Sequence, residues 1–371
     1  MDTAVSIIGA GHCGCAFAAD LLDRGIRVLL HADPAHSQVL RAIQTQGSLR
    51  AAARIEGDFH PVLSMEIEDA VRFSKTLVVT LPAYAHDGVI AALSQHDLSN
   101  HVVVCITGNF FGAVARRALN AAAIVETSSA PYASRVEGAT VKVMGVKAEL
   151  PIAPVSPIAD ATIREGITQL FSMPLIWHRN VLEIGFSCIT AVIHPAPALM
   201  NAGWIESTGG DFFFYRQGMS RAVVDVMEGV DRERLSIAER YGFALPSTLA
   251  LMNAYYHARF TSLADFARHS TEHNHTKMTP ASLRHRFIAQ DVPYVLVPWY
   301  ELGRKAGIEA RTIQSLIQLA SLVHNENYLE TGRTLRKLGL QQLDREGILA
   351  AAGDSQRAQP LRHAGYATAH C

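Results

Sequence analysis

Gly9, Gly11 and Gly14 stand as GAGHCG between a short apolar run (AVSIIGA) and an amphipathic segment (CAFAADLLDRG), and a second apolar run (IRVLLHA) follows. Strand, glycine turn, helix and strand make a βαβ unit. The first glycine permits a tight turn, the second lets the backbone approach a pyrophosphate, and the third lets helix and strand pack closely. The helix N-terminus then presents free N–H groups and its positive dipole end to the phosphates. The motif predicts a dinucleotide site on Gly9, Gly11, His12, Cys13 and Gly14, against the bland alternative of a fortuitous turn in an α/β domain. An acid ending the second strand would bind the adenosine ribose diol, but here the strand ends Leu30-His31-Ala32-Asp33 and the acid comes one residue late. Either Asp33 fills that role or a 2′-phosphate finds room near His36, Ser37 and Arg41, so NAD and NADP both stand.

Further apolar runs at TLVVTL (Thr76 to Leu81), HVVVCI (His101 to Ile106) and AAIVE (Ala122 to Glu126) are separated by the helix-like DGVIAALSQ and FGAVARRALN. This alternation predicts a parallel doubly wound sheet, a Rossmann domain over 1–180 that closes with ATIREGITQLFSM and PLIWHRN. From 181 to 345 the periodicity is helical, as in MSRAVVDVMEGVDRERLSIAERYG and ARTIQSLIQLASLVHNEN, so an all-α substrate domain is expected, with 346–371 as a loosely ordered tail. A length of 371 residues suits two cores better than one. Lys+Arg 33 against Asp+Glu 34 leaves no net field to attract nucleic acid or an anionic membrane, so small molecules are the expected partners, with a homodimer compatible. A first stretch without a basic leader, and no uninterrupted apolar run of about eighteen residues, point to the cytoplasm. Five cysteines match no disulfide framework or paired metal motif and are read as free buried thiols.

Two clusters in the helical half carry chemistry. The first is Ile193-His194-Pro195, where the histidine taken alone could be a packed core residue. The second runs from Arg284 to Pro293 (RHRFIAQDVP), where Arg286 and Asp291 could form a surface ion pair capping a helix. Joined, they make a site: His194 transfers a proton, Asp291 holds its tautomer, and Arg286 grips a carboxylate. That combination suits reduction of a C=O or C=N bond beside a carboxylate, with hydride from a nicotinamide. The turns Leu81-Pro82-Ala83 and Thr107-Gly108-Asn109 fall at the carboxyl edge of the sheet, where Pro82 is expected against the cofactor. Trp204, Phe212 to Tyr215, Tyr255, Tyr256 and His257 are read as core rather than pocket, and the histidine-rich Arg268 to His275 as a solvated loop with no metal site.

Beyond the glycine motif, ETSSAPYASR (Glu126 to Arg135), TAVIHPAPALMNAGWIE (Thr190 to Glu206), VDRERLSIAERYGF (Val230 to Phe243), HRFIAQDVPYVLVPWYELGRKAGI (His285 to Ile308) and TGRTLRKLGL (Thr331 to Leu340) resemble the octopine/nopaline, or opine, dehydrogenase family. The resemblance runs in order over about the first 345 residues. It implies an NAD(P)H-dependent oxidoreductase that joins an amino acid to a 2-oxo acid by reducing the imine between them. It places the catalytic histidine on His194, its acidic partner on Asp291 and the substrate-carboxylate arginine on Arg286, with Tyr132 and Thr190 expected against substrate. Where the family typically carries asparagine, four residues before its histidine, this chain has Thr190, which lacks an amide's paired donor and acceptor. Two other readings fit the same layout. One is a 2-hydroxy-acid or ketopantoate-type dehydrogenase, many of which use a catalytic lysine that neither cluster contains; the other is an inactive NAD(P)H-binding sensor.

Overall fold

The computed structural model describes residues 4–353. Twelve strands occur in them: β1 (Ala4–Ile8), β2 (Arg27–His31), β3 (Leu49–Ala53), β4 (Gly57–Phe59), β5 (Val62–Ser64), β6 (Thr76–Val79), β7 (Val102–Cys105), β8 (Ala123–Thr127), β9 (Tyr132–Glu137), β10 (Thr140–Val146), β11 (Leu150–Pro154) and β12 (Leu175–Trp177). Eight form one sheet in the order β12-β11-β8-β7-β6-β1-β2-β5. Its strands run parallel except where β11 meets β8 antiparallel, so the expected doubly wound sheet is mixed at that edge. The central β1 is buried along its whole length, as a strand covered by helices on both faces must be. From β1 the chain winds outward to β2 and then returns to β6 on the opposite side, which opens a crevice at the carboxyl ends of β1 and β6.

A second sheet, β4-β3-β10-β9, lies against the first helix, His12–Asp23. The sequence reading did not anticipate it. The alanine-rich β3 lacks the branched residues that mark strands, whereas β10 does alternate in burial and meets β9 through a turn in which Gly138 takes φ +57°.

After β12 the chain is helical from Val181–Phe186 onward. The stretch Val181–Met200 is apolar and long enough to cross a bilayer, but nearly all of it is buried inside the protein. It is broken into three short helices around a core that includes Trp299, Phe186 and Tyr241. The segment expected as a tail begins instead as a helix, Arg345–Ala351, with Ile348 buried; residues 354–371 of that expectation lie outside the described part.

Candidate active site

The glycine turn has the shape a dinucleotide needs. Gly9 takes φ +123°, and a Cβ on Gly14 would lie 1.8 Å from the Gly9 carbonyl oxygen, so neither tolerates a side chain. Gly11 is different: nothing lies within 4 Å of where its Cβ would be, leaving open space over the start of the helix. No side chain caps the helix, whose first N–H groups are free for phosphate oxygens. His12 is held in place, its Nδ1 accepting from the Val136 N–H at 2.9 Å. Asp33 is exposed beyond β2, with one carboxylate oxygen accepting from the Ala35 N–H at 2.8 Å. Arg41 Nε donates to Ser37 Oγ at 3.1 Å beside it, so an acid and a base border the ribose end together.

In the helical half, His194 and Asp291 meet as expected. The imidazole Nδ1 lies 2.7 Å from Asp291 Oδ2, and both side chains are buried. Asp291 stands at the start of a π-helical turn, Val292–Leu296, a conformation that aims side chains out of the ordinary helical register. The ring of Phe287 stacks on His194 with centroids 3.9 Å apart and fixes its plane. Burial holds the His194 imidazole below its ordinary value while the Asp291 hydrogen bond pushes the other way, so the resting ring is neutral at pH 7. A neutral ring whose Nδ1–H is given to Asp291 presents a basic Nε2 to a substrate.

The alternative reading of Arg286 and Asp291, a surface ion pair, has no counterpart among the described residues. Arg286 is exposed and, among the described residues, its guanidinium makes no hydrogen bond or ion pair. The guanidinium lies within electrostatic reach of His12, Cys13, Arg135 and His194, residues of the glycine turn, of β9 and of the dyad. Two residues expected against substrate have protein partners. Thr190 donates its hydroxyl to Asp291 Oδ1 at 3.2 Å, so it buttresses the dyad. Tyr132 is buried against Phe17 with its phenol near Asp20, because the alternation along β9 turns it and Ser134 toward the first helix and leaves Arg135 exposed.

The carboxyl-edge turns also reach the dyad. The Ala83 N–H donates to Gln290 Oε1 at 3.3 Å, next door to Asp291 and one residue after Pro82. Asn109 Oδ1 accepts from Cys188 Sγ at 3.2 Å, and Cys188 lies 3.3 Å from Thr190 Oγ1. Thr107, Asn109 and Phe110 all take positive φ, and strain of this kind in non-glycine residues clusters at functional sites. Phe212, Phe214, Tyr215 and Tyr255 are core, as expected, whereas Trp204 is 39% exposed and stacks on Phe212. His273, from the stretch read as a solvated loop, is buried between Tyr215 and Tyr256, and burial pushes its pKa down to about 3. No cluster among the described residues could hold a metal ion. Sequence reasoning missed Lys147, Ser129 and Cys188, which come together only through the fold.

A glycine-turn nucleotide domain facing a buried His–Asp pair defines the class: an NAD(P)-dependent oxidoreductase of two domains. Residues 177–324 match the family described as NAD/NADP octopine/nopaline dehydrogenase, alpha-helical domain. Residues 4–109 match the family described as NADP oxidoreductase, coenzyme F420-dependent. Protein ocs of Agrobacterium vitis is 29% identical over 355 residues, covering 94% of this chain and 98% of that protein. An opine dehydrogenase of Arthrobacter sp. is also 29% identical, covering 93% and 98%. The fold matches an octopine dehydrogenase solved with NADH and L-arginine at a TM-score of 0.74 and 17% identity, covering 96% of this chain and 99% of that one. The helical half thus resembles the alpha-helical domain of octopine/nopaline dehydrogenases, and the whole chain is similar to opine-forming enzymes along nearly its full length.

Proposed function

We infer that this protein catalyses the NAD(P)H-dependent reductive condensation of an amino acid with a 2-oxo acid, such as pyruvate or 2-oxoglutarate. The product is an N-(carboxyalkyl) amino acid. The match of residues 177–324 to the octopine/nopaline dehydrogenase helical domain and the similarity to an opine dehydrogenase support the reaction class, and the observation that carries the residue roles is the buried His194–Asp291 pair beside an Arg286 with no acidic partner. Residues 1–180 form the dinucleotide half and 181–345 the substrate half. The cofactor, held over Gly9, Gly11, His12, Cys13 and Gly14 with Pro82 and Asp33 at its borders, supplies hydride.

His194 takes up at Nε2 the proton that the amino-acid ammonium gives up on attack, delivers it to the hydroxyl that leaves as water, or to the imine nitrogen, and takes a proton back in the oxidative direction. Asp291 keeps Nδ1 protonated and stabilises the imidazolium formed in the cycle. Arg286 holds a carboxylate so that the C=N carbon stays in reach of the hydride donor, a positioning effect that is among the larger contributions available to an enzyme. Free thiols at Cys13, Cys15, Cys105 and Cys188 suit a reducing cytoplasm.

The test is His194→Gln. Turnover should be lost while fluorescence titration shows unchanged dinucleotide binding; full turnover in this variant would refute the assignment. Lys147, which approaches the site from the Rossmann half, is a feature that a simple oxo-acid reductase could also use. The two activities part on whether NAD(P)H oxidation requires added amino acid.

A further inference from the structure

The product of the proposed condensation carries two carboxylates on either side of one nitrogen, and Arg286 accounts for one of them. A second cation should face the same space. Lys147 follows β10 and points inward from the Rossmann half: its Nζ donates to Ser129 Oγ at 2.5 Å and lies 3.9 Å from the centroid of the Tyr255 ring. That hydroxyl and that ring are its neighbours in place of a carboxylate, and the thiols of Cys188 and Cys13 lie within electrostatic reach of it. The Ser129 carbonyl accepts from the Thr127 hydroxyl, which takes the Thr107 N–H; Asn109 on that turn accepts from Cys188, and Cys188 leads through Thr190 to Asp291, so a chain of contacts joins the Lys147 corner to the dyad.

The Tyr255 hydroxyl lies beside the hydroxyls of Ser128 and Ser129, and Asn109 Nδ2, on the same carboxyl-edge turns, is buried without a hydrogen-bond partner. A buried donor left unpaired is costly, so an ammonium without a carboxylate partner, set among hydroxyls and an unpaired amide, suits an anion with two acceptor oxygens. Cys13 lies within electrostatic reach of both Lys147 and Arg286, so both cations stand near the glycine turn.

Resting on the reaction class above, we propose that Lys147, with Ser129 and its neighbouring donors, anchors the substrate carboxylate that Arg286 does not hold. Lys147 is thus a positioning residue that decides which end of the substrate pair faces the hydride donor. Burial lowers the Lys147 ammonium to about 7, so the anchor loses its charge as pH rises above neutrality.

The experiment is steady-state kinetics on the full chain with pyruvate, an amino acid that supports turnover, and NADH or NADPH, each varied separately. Lys147→Met should raise the KM of one carboxylic substrate about ten- to a hundredfold and leave the nicotinamide KM unchanged. Arg286→Met should raise the KM of the other. In the wild type the KM of the Lys147-dependent substrate should climb above about pH 7, and Lys147→Arg, which stays charged, should bind that substrate well and lack the climb. Unmoved KM values in Lys147→Met, the same substrate affected by both variants, or a climb that persists in Lys147→Arg would each overturn the assignment. Should Lys147→Met fail to fold, the wild-type and Lys147→Arg profiles decide. A wild type inactive with every amino acid and oxo acid pair removes the reaction class as well, whereas an active one with unmoved KM values removes this proposal alone.

Discussion

Asp291 carries two jobs on two oxygens: Oδ2 takes the His194 ring and Oδ1 takes the Thr190 hydroxyl. With no exposure to water, it can keep that geometry only as long as both partners stay. Asp291→Asn should preserve the fold and lower kcat by roughly three to four orders of magnitude, because an amide favours the wrong imidazole tautomer. The pH dependence has a definite sign. In the oxidative direction His194 must start unprotonated, so the rate should rise with pH through a value below the ordinary histidine range and then level off. In Asp291→Asn the contribution that raises the imidazole is gone, and the acid limb should move lower still; a limb that moved upward would contradict this account. The dyad was legible in the sequence because each residue sat in a distinctive local motif. Tyr132 was not, since its direction depends on which face of β9 meets the first helix, and Lys147 was not, since its neighbours come from across the domain boundary.

Elements hold the dyad by a few buried polar ties. The long helix Arg221–Arg240 contributes Arg234, fully buried, whose guanidinium donates to Asp231 Oδ1 at 2.8 Å, the Phe186 carbonyl at 2.9 Å and the Pro246 carbonyl at 2.9 Å. Asp231 also accepts from the Thr248 N–H at 2.9 Å and its hydroxyl at 2.7 Å, so one ion pair joins three segments. This is the physical content of the VDRERLSIAERYGF stretch. Arg234→Met should destabilise by about 3–5 kcal/mol, because it strands a buried carboxylate and two carbonyls. Urea unfolding would read it, and a loss below about 1 kcal/mol would show that the ties are redundant. Helical periodicity made this element plain in the sequence, and alternation in TVKVMGV carried a comparable strand signal that helix-and-sheet bookkeeping of the βαβ kind passed over.

On the scale of the whole molecule, the two halves are stitched at the mouth of the sheet. Arg333, buried in the helical half, donates to the Asn109 carbonyl at 2.7 Å and approaches the Ala83 carbonyl at 3.4 Å. Its own N–H meets the Pro293 carbonyl at 2.8 Å, two residues past Asp291. One residue therefore links the carboxyl edge of the Rossmann sheet to the π-helical turn behind the dyad, which explains the TGR of the TGRTLRKLGL stretch. Order along the chain revealed the two-part layout, but contacts of this range are invisible to local pattern and required the fold. The central claim is that the cleft so formed reduces an imine made from two substrates. Its most direct measurement is NAD(P)H oxidation by a 2-oxo acid with and without an amino acid, with mass analysis of the product. The account predicts no oxidation by the oxo acid alone and, once the amino acid is added, a product whose mass is the sum of both substrates less one water plus two hydrogens. Equal oxidation without the amino acid, yielding only the hydroxy acid, would contradict it.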